Sequence, residues 1–393
     1  MQLPILSLME RQKTTKTPAV DARKWLNRTV ILRGAFRILF LYDVAEALDL
    51  PKIAELLGPR GGAMKQSLPR RTPEYVRFEH PPIVEPAAAC TLSSGEQAIC
   101  SIKYYSFAAV VVQMEVPFEA DWKTLIERAS TWIDASDAEP QARELLRRHL
   151  DRLSPSVIRP TPEWLHEEFV VINLQDAETA DHRERPTASE LLSRHGQEIV
   201  QLVRGETAVF SPRLTEDMLQ HSLSYYETDL VVIGANSALV YDRSEDALAT
   251  NQVLEYTKMQ LLEFRYYDGL LTKLLSDVYD AMEKSRNVLL SRWALPRQAK
   301  HVNTIRLDVM ELTERVDNAV KFVSDAYYAR VYRTAAARMG LSDYRKLVDE
   351  KLRTVGELYD FMVDQFNEAR SFVLELGIAF LCLLDVILLL RGK

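Results

Sequence analysis

The sequence predicts an α+β protein. An N-terminal α+β domain with antiparallel strands is followed by a long, antiparallel, three-helix coiled-coil-like stalk that ends in a single transmembrane helix. Three observations predict this. Between residues 31 and 243, short β-branched runs are separated by amphipathic stretches without the regular strand–helix rhythm of a parallel sheet. Beyond Ser244 the only proline is Pro296, and apolar residues recur at spacings of three and four. Phe372–Leu390 is a nineteen-residue apolar run broken only by Glu375 and Asp385. Such a run approaches the ~20 residues needed to cross a hydrocarbon core of ~30 Å.

Residues 1–30 read as a flexible basic leader. FRILFLYDV (36–44) then suggests a strand and LPKIAELLG (50–58) a short helix, before a polar loop opened by Pro59. EYVRFEH (74–80) is a weak strand. QAICSIKYY (97–105) and FAAVVVQMEV (107–116) read as neighbouring antiparallel strands joined near Ser106. Helices are expected over 120–134 and 138–153; Trp122, Leu125, Ile126, Ala129 and Ile133 give the first its apolar face. HEEFVVINL (166–174) returns to a strand, helices follow at 187–203 and 214–222, and ETDLVVIG with SALVYD makes a hairpin over 227–242. The domain so defined is 31–243.

The stalk covers 244–371. Its first helix, 245–292, draws its apolar side from Leu254, Leu261, Leu262, Leu270, Leu271, Leu274, Leu275 and Val278. The second, 298–338, ends at Gly340, and the third carries Val348, Leu352, Val355, Tyr359, Met362, Phe366, Ala369, Val373 and Leu376. A seam held over several heptads predicts coiled-coil packing, and short breaks predict antiparallel neighbours. No breaker separates this seam from 372–390, so stalk and span read as one rod. The span is expected to contact membrane lipid and to leave the body in the cytoplasm.

Composition narrows the function classes. With 47% hydrophobic and 27% charged residues the chain is not disordered as a whole, and a net charge of -7 opposes indiscriminate nucleic-acid binding. Charge is uneven: Arg11, Lys13, Lys16, Arg23, Lys24, Arg28, Arg33 and Arg37 against Glu10 and Asp21 give the first forty residues +6, leaving -13 elsewhere. Cys90, Cys100 and Cys382 form no CxxC pair, so neither a disulfide framework nor a zinc site is indicated, as suits a reducing compartment. No catalytic, cofactor-binding or metal residues are assigned, and no cofactor is expected. The seven histidines lack HExxH or three-ligand spacing, Gly58, Gly61 and Gly62 lack the P-loop pattern, and Ser94-Gly95-Glu96 is not a nucleophile elbow.

Several positions invite a functional reading beside a plainer one. Glu375 and Asp385 in hydrocarbon would cost about 2.5–3.5 kcal/mol each unless paired between chains or drawn to interfacial water. Alternatively, 372–390 is the apolar wall of an oligomer. Arg143, Arg147, Arg148 and Arg152 could contact an anion or form a solvated face. Arg265-Tyr266-Tyr267-Asp268, one of four segments with paired tyrosines, could bind a ligand or pack the stalk on the body.

Four stretches carry a family resemblance: Leu41–Val44, Ile102–Phe107 leading into Val110–Met114, Leu254–Leu271 with Glu255, and Leu374–Ile378. They resemble the family named "required for meiotic nuclear division". That resemblance implies a β-rich domain, long helices and one C-terminal span beginning near an acid, matched here by Glu375, with Asp385 similar to a second. Mitochondrial members hold ribosomes near the inner membrane and form large homo-oligomers, and the family brings no agreed catalytic residues. Glu10 and Asp21 interrupt the leader, and Leu376 replaces an aromatic residue, which points to a prokaryotic member. The expected function is a membrane-tethered, homo-oligomeric scaffold that positions a cytoplasmic partner, with a link to translation by likeness. The alternatives are a hydrolase or nucleotide-dependent enzyme with its site between body and stalk, and an RNA-binding module using the basic leader.

Overall fold

The computed structural model describes residues 31–63, 82–133, 138–178, 185–243, 247–285, 303–307, 309–310 and 326–391. The basic leader, the EYVRFEH segment and most of the second long helix lie outside the described residues.

The strands are β1 (Ile31–Leu48), β2 (Gly62–Ala63), β3 (Ile83–Pro86), β4 (Cys90–Thr91), β5 (Gln97–Tyr104), β6 (Ala109–Ala120), β7 (Val157–Glu178), β8 (Leu230–Ile233) and β9 (Ser237–Tyr241). They form one sheet in the order β2-β3-β5-β6-β1-β7-β9-β8, with β4 attached to β5. Pairing is antiparallel except between β7 and β9, which run parallel. The expected β5–β6 and β8–β9 neighbours are therefore present. The first joins through a turn in which Ala108 adopts φ 66°.

The helices are α1 (Leu50–Leu57), α2 (Trp122–Trp132), α3 (Glu139–Arg152), α4 (Ala188–Arg204), α5 (Pro212–Leu219), α6 (Ala247–Ser285), α7 (Ala326–Arg338) and α8 (Leu341–Arg391). Local chemistry sets their ends. Asp121 caps α2 by accepting from the Thr124 N–H, and Thr187 and Glu190 make a reciprocal capping box on α4. Gly340, at φ +81°, separates α7 from α8.

β1 shows how the layers are specified. Phe36, Ile38, Phe40 and Tyr42 point to one face and pack with residues of α1–α5. Leu39 and Leu41 point to the other and pack with Phe169, Val171, Val240 and the helices C-terminal to the sheet. An apolar strand buried on both sides needs two covering layers. The second layer comes from α6, α7 and the first part of α8: Leu254, Leu261, Leu262 and Leu271 join Val331, Ala335, Val348 and Val355 in that core.

This corrects the predicted fold class. The protein is mixed α/β, and the long helices begin as a layer on the sheet instead of standing off it as a stalk. The terminal span is corrected as well, and with it the single-pass membrane localisation. Among the described residues no helix is long and apolar enough to cross a membrane. Although α8 has 51 residues, Glu375 and Asp385 confine the uninterrupted apolar run between them to Leu376–Leu384. That run rises only ~14 Å, about half of a ~30 Å hydrocarbon core.

Gly34 sits at a close approach between β1 and β7. A register shift falls between Arg33 and Gly34, and a Cβ there would collide with the Asn173 carbonyl oxygen. No side chain fits that gap.

Candidate functional site: charged groups buried between the sheet and α6

Four strands build the floor of the site. In register, Lys103 of β5 faces Val111 of β6, Val111 faces Leu41 of β1, and Leu41 faces Glu167 of β7. Directly opposed residues share a face, so this row places a cation near one end and a carboxylate near the other. One row on, Tyr105, Ala109, Asp43 and Leu165 lie near one another.

α6 crosses this floor with matching groups. Glu255 Oε2 receives Lys103 Nζ at 2.6 Å, and its Oε1 receives the Tyr105 hydroxyl at 2.6 Å. Three residues on, Lys258 Nζ lies 2.7 Å from Glu167 Oε2, and Arg265 donates to the other oxygen of Glu167. Glu255, Lys103, Lys258 and Glu167 are all at most 8% exposed. Burial in this order is tolerable only because every charge has a partner. Burial also raises the Tyr105 phenol well above its usual range, which keeps it a proton donor to Glu255. Burial pushes the Asp43 carboxyl up to about 7.

Further along, Gln260 accepts from the Tyr332 hydroxyl of α7 at 2.6 Å, and Asn251 Nδ2 donates to Asn173 Oδ1 at 3.0 Å. At the rim, a cavity of about 290 Å³ is lined by His166, Glu167, Glu168, Asn236 and Arg265 over Trp132 and Val170. It lies at the lower bound of small-molecule sites. Glu167 is paired with Arg265 and Lys258, and Glu168 lies 3.7 Å from His166.

The sequence candidates distribute as follows. Arg265 fastens α6 to the sheet through Glu167, and Asp268 accepts from Lys351 of α8 at 2.5 Å. Tyr266 and Tyr267 meet edge to face. On the opposite side of the sheet the four arginines of α3 have intramolecular partners. Arg143 pairs with Glu139 at 2.6 Å and lies over Tyr42 and Trp164, while Arg147 lies over Trp164. Arg148 pairs with Glu144, and Arg152 with Glu85. Glu85 is itself buried; burial would raise its carboxyl, but hydrogen bonds from His149, Tyr104 and Arg152 outweigh this and hold it below the usual range. Ser94 donates to Glu96 in a turn, and Glu96 pairs with Arg128. Tyr225 and Tyr226, 53% and 68% exposed, line an open cleft of about 930 Å³ beside Thr187, Ser189 and Leu192. Glu375 lies on a part of α8 with exposed neighbours, and the Asp385 side chain lies outside the described residues.

Lys103, Tyr105 and Glu255 all fall in stretches that stand out in the sequence, but nothing in the sequence joins them. The available signal is charge inside segments otherwise patterned for burial: IKYY in β5, HEEFVV in β7 and LEYTK in α6.

The fold and site define a mixed α/β protein whose long C-terminal helices are fastened to its sheet by buried ion pairs. Residues 33–247 match the family described as "Uncharacterized protein MJ0711, N-terminal domain", and the chain belongs to that family. It is similar to the uncharacterized protein MJ0711 of Methanocaldococcus jannaschii, at 21% identity over 192 residues, which cover 49% of this chain and 58% of that protein. The chain thus matches less than two thirds of the relative's length. No solved structure matches. The family match corrects the resemblance to the meiotic nuclear division family. That resemblance rests on short apolar–aromatic stretches, a pattern that any strand or helix buried on one side must show.

Proposed function

We propose that the protein is a homo-oligomeric scaffold in which α8 joins copies of the chain and the α/β body is presented to a protein partner. The observation that carries this reading is the bare end of α8. Leu374, Leu376, Ile378, Phe380, Leu381, Leu383, Leu384, Val386 and Ile387 are each 40–64% exposed. Surfaces in water do not leave so large an apolar area uncovered. Covering these side chains would contribute on the order of 10 kcal/mol per chain, roughly 20 kcal/mol for two, against an association cost of about 4–15 kcal/mol. A second copy offers an apolar surface of the same length and composition. The rival enzyme reading needs convergent, unneutralised groups in a cavity, whereas the junction between sheet and α6 holds paired charges.

The test is the mass of the full chain in aqueous buffer by light scattering. The wild type is expected at a multiple of 45.0 kDa, and Ile378→Glu with Leu381→Glu at that mass itself. A wild type that remains a single chain at micromolar concentration overturns the proposal.

A further inference from the structure

Strand β4 is only two residues long, and its Cys90 lies opposite Ala98 of β5. Opposed residues share a face, as do residues two apart on one strand, so Cys90 and Cys100 project to the same side. Met114 of β6, opposite Cys100, joins them there. The two sulfurs lie 3.0 Å apart, and Cys90 Sγ is 4.0 Å from Met114 Sδ. Both cysteines are free. Their separation exceeds a disulfide bond of ~2.05 Å by about 1 Å, so the sulfurs need only a short further approach to bond. Accessibility differs between the two. Cys90 is half-buried, whereas Cys100 is 2% exposed.

We propose that Cys90 and Cys100 form a thiol–disulfide exchange site whose substrate is a low-molecular-weight disulfide, with Cys90 the entering thiol and Cys100 the resolving one. The Cys90 thiolate attacks one sulfur of R–S–S–R, forming Cys90–S–S–R and releasing RS⁻. Cys100 Sγ then attacks the Cys90 sulfur and expels the second RS⁻. The protons of the two protein thiols end on the two RS⁻ groups. Two cysteines are oxidised to one disulfide, and the small disulfide is reduced to two thiols.

Burial, reinforced by the neighbouring Cys90, pushes the Cys100 thiol up to about 12. The same shift slows both steps. Cys100 must lose its proton before it attacks the mixed disulfide, and it is a poor leaving group when an external thiol attacks the Cys90 sulfur. The protein disulfide therefore forms slowly and opens slowly. The bond also closes the short loop from β4 to β5, and the expected rise in melting temperature is about 3–4 °C.

The experiment uses the full chain carrying Cys382→Ser, incubated with oxidised glutathione. The expected result is loss of both remaining thiols, a peptide linking residues 90 and 100, and the higher melting temperature. Cys100→Ser is expected to trap one glutathionyl group on Cys90, and Cys90→Ser to leave Cys100 unmodified. Cys100→Ala serves the same purpose if serine is not tolerated in the buried position. Retention of both thiols in the folded protein, or glutathionylation of Cys100 in the Cys90→Ser variant, overturns the proposal.

Discussion

Lys103 and Glu255 meet across 152 residues of sequence. Neither is readable as a partner of the other from the chain alone, because a charge in a strand pattern is equally consistent with a solvent-facing edge. Their burial makes removal of one partner costly. Lys103→Met is expected to destabilise the protein by about 3–5 kcal/mol in urea titration, since it strands a carboxylate, and Lys103→Met with Glu255→Gln to recover most of that loss. Asp43 gives a pH-dependent counterpart. Its carboxyl titrates near 7 in the folded protein against 3.8 for the free group, so the native state holds the extra proton between those values. The stabilisation is complete below about pH 4 and lost as pH rises through about 7. Asp43→Asn should flatten this fall, exceeding the wild type in stability at pH 8 and matching it near pH 4.

Elements were the most legible scale. The strands in FRILFLYDV and FAAVVVQMEV, the α2 face of Trp122, Leu125, Ile126 and Ala129, and the glycine end of α7 follow from side-chain period and turn chemistry, which are local. Two features were not legible for the same reason. The two-residue β4 has no period to detect, and its Cys90 is placed by pairing with β5. α6 carries enough leucine to suggest a helical seam, but an apolar face does not say whether a helix or a sheet will cover it. Helix ends offer a local test: Thr187→Ala removes the acceptor of the α4 capping box and should cost about 1 kcal/mol in thermal unfolding, without change in oligomeric mass.

At the scale of the whole molecule, a boundary at residue 243 looks natural in the sequence because strand patterning stops there. The family match, too, ends at residue 247, where α6 begins. Yet Leu39, Leu41, Phe169, Val171 and Val240 are covered by α6, α7 and the start of α8. A fragment of residues 31–243 is therefore expected to aggregate or to bind a hydrophobic dye strongly, while a fragment ending near residue 360 should not. Equal solubility and equal dye binding would show that the sheet does not depend on α6–α8 for its second face.

The same two-sided sheet has a consequence in time. β1, β6 and β7 are all synthesised by residue 178, but Leu271, which helps cover their second face, lies about ninety residues later. At translation rates of about 5–20 residues per second, the interval is roughly 5–20 s. During that interval a nascent chain that has already paired its strands displays a bare apolar surface. A chaperone that binds such surfaces would find this protein for seconds during its birth and lose it once α6 docks.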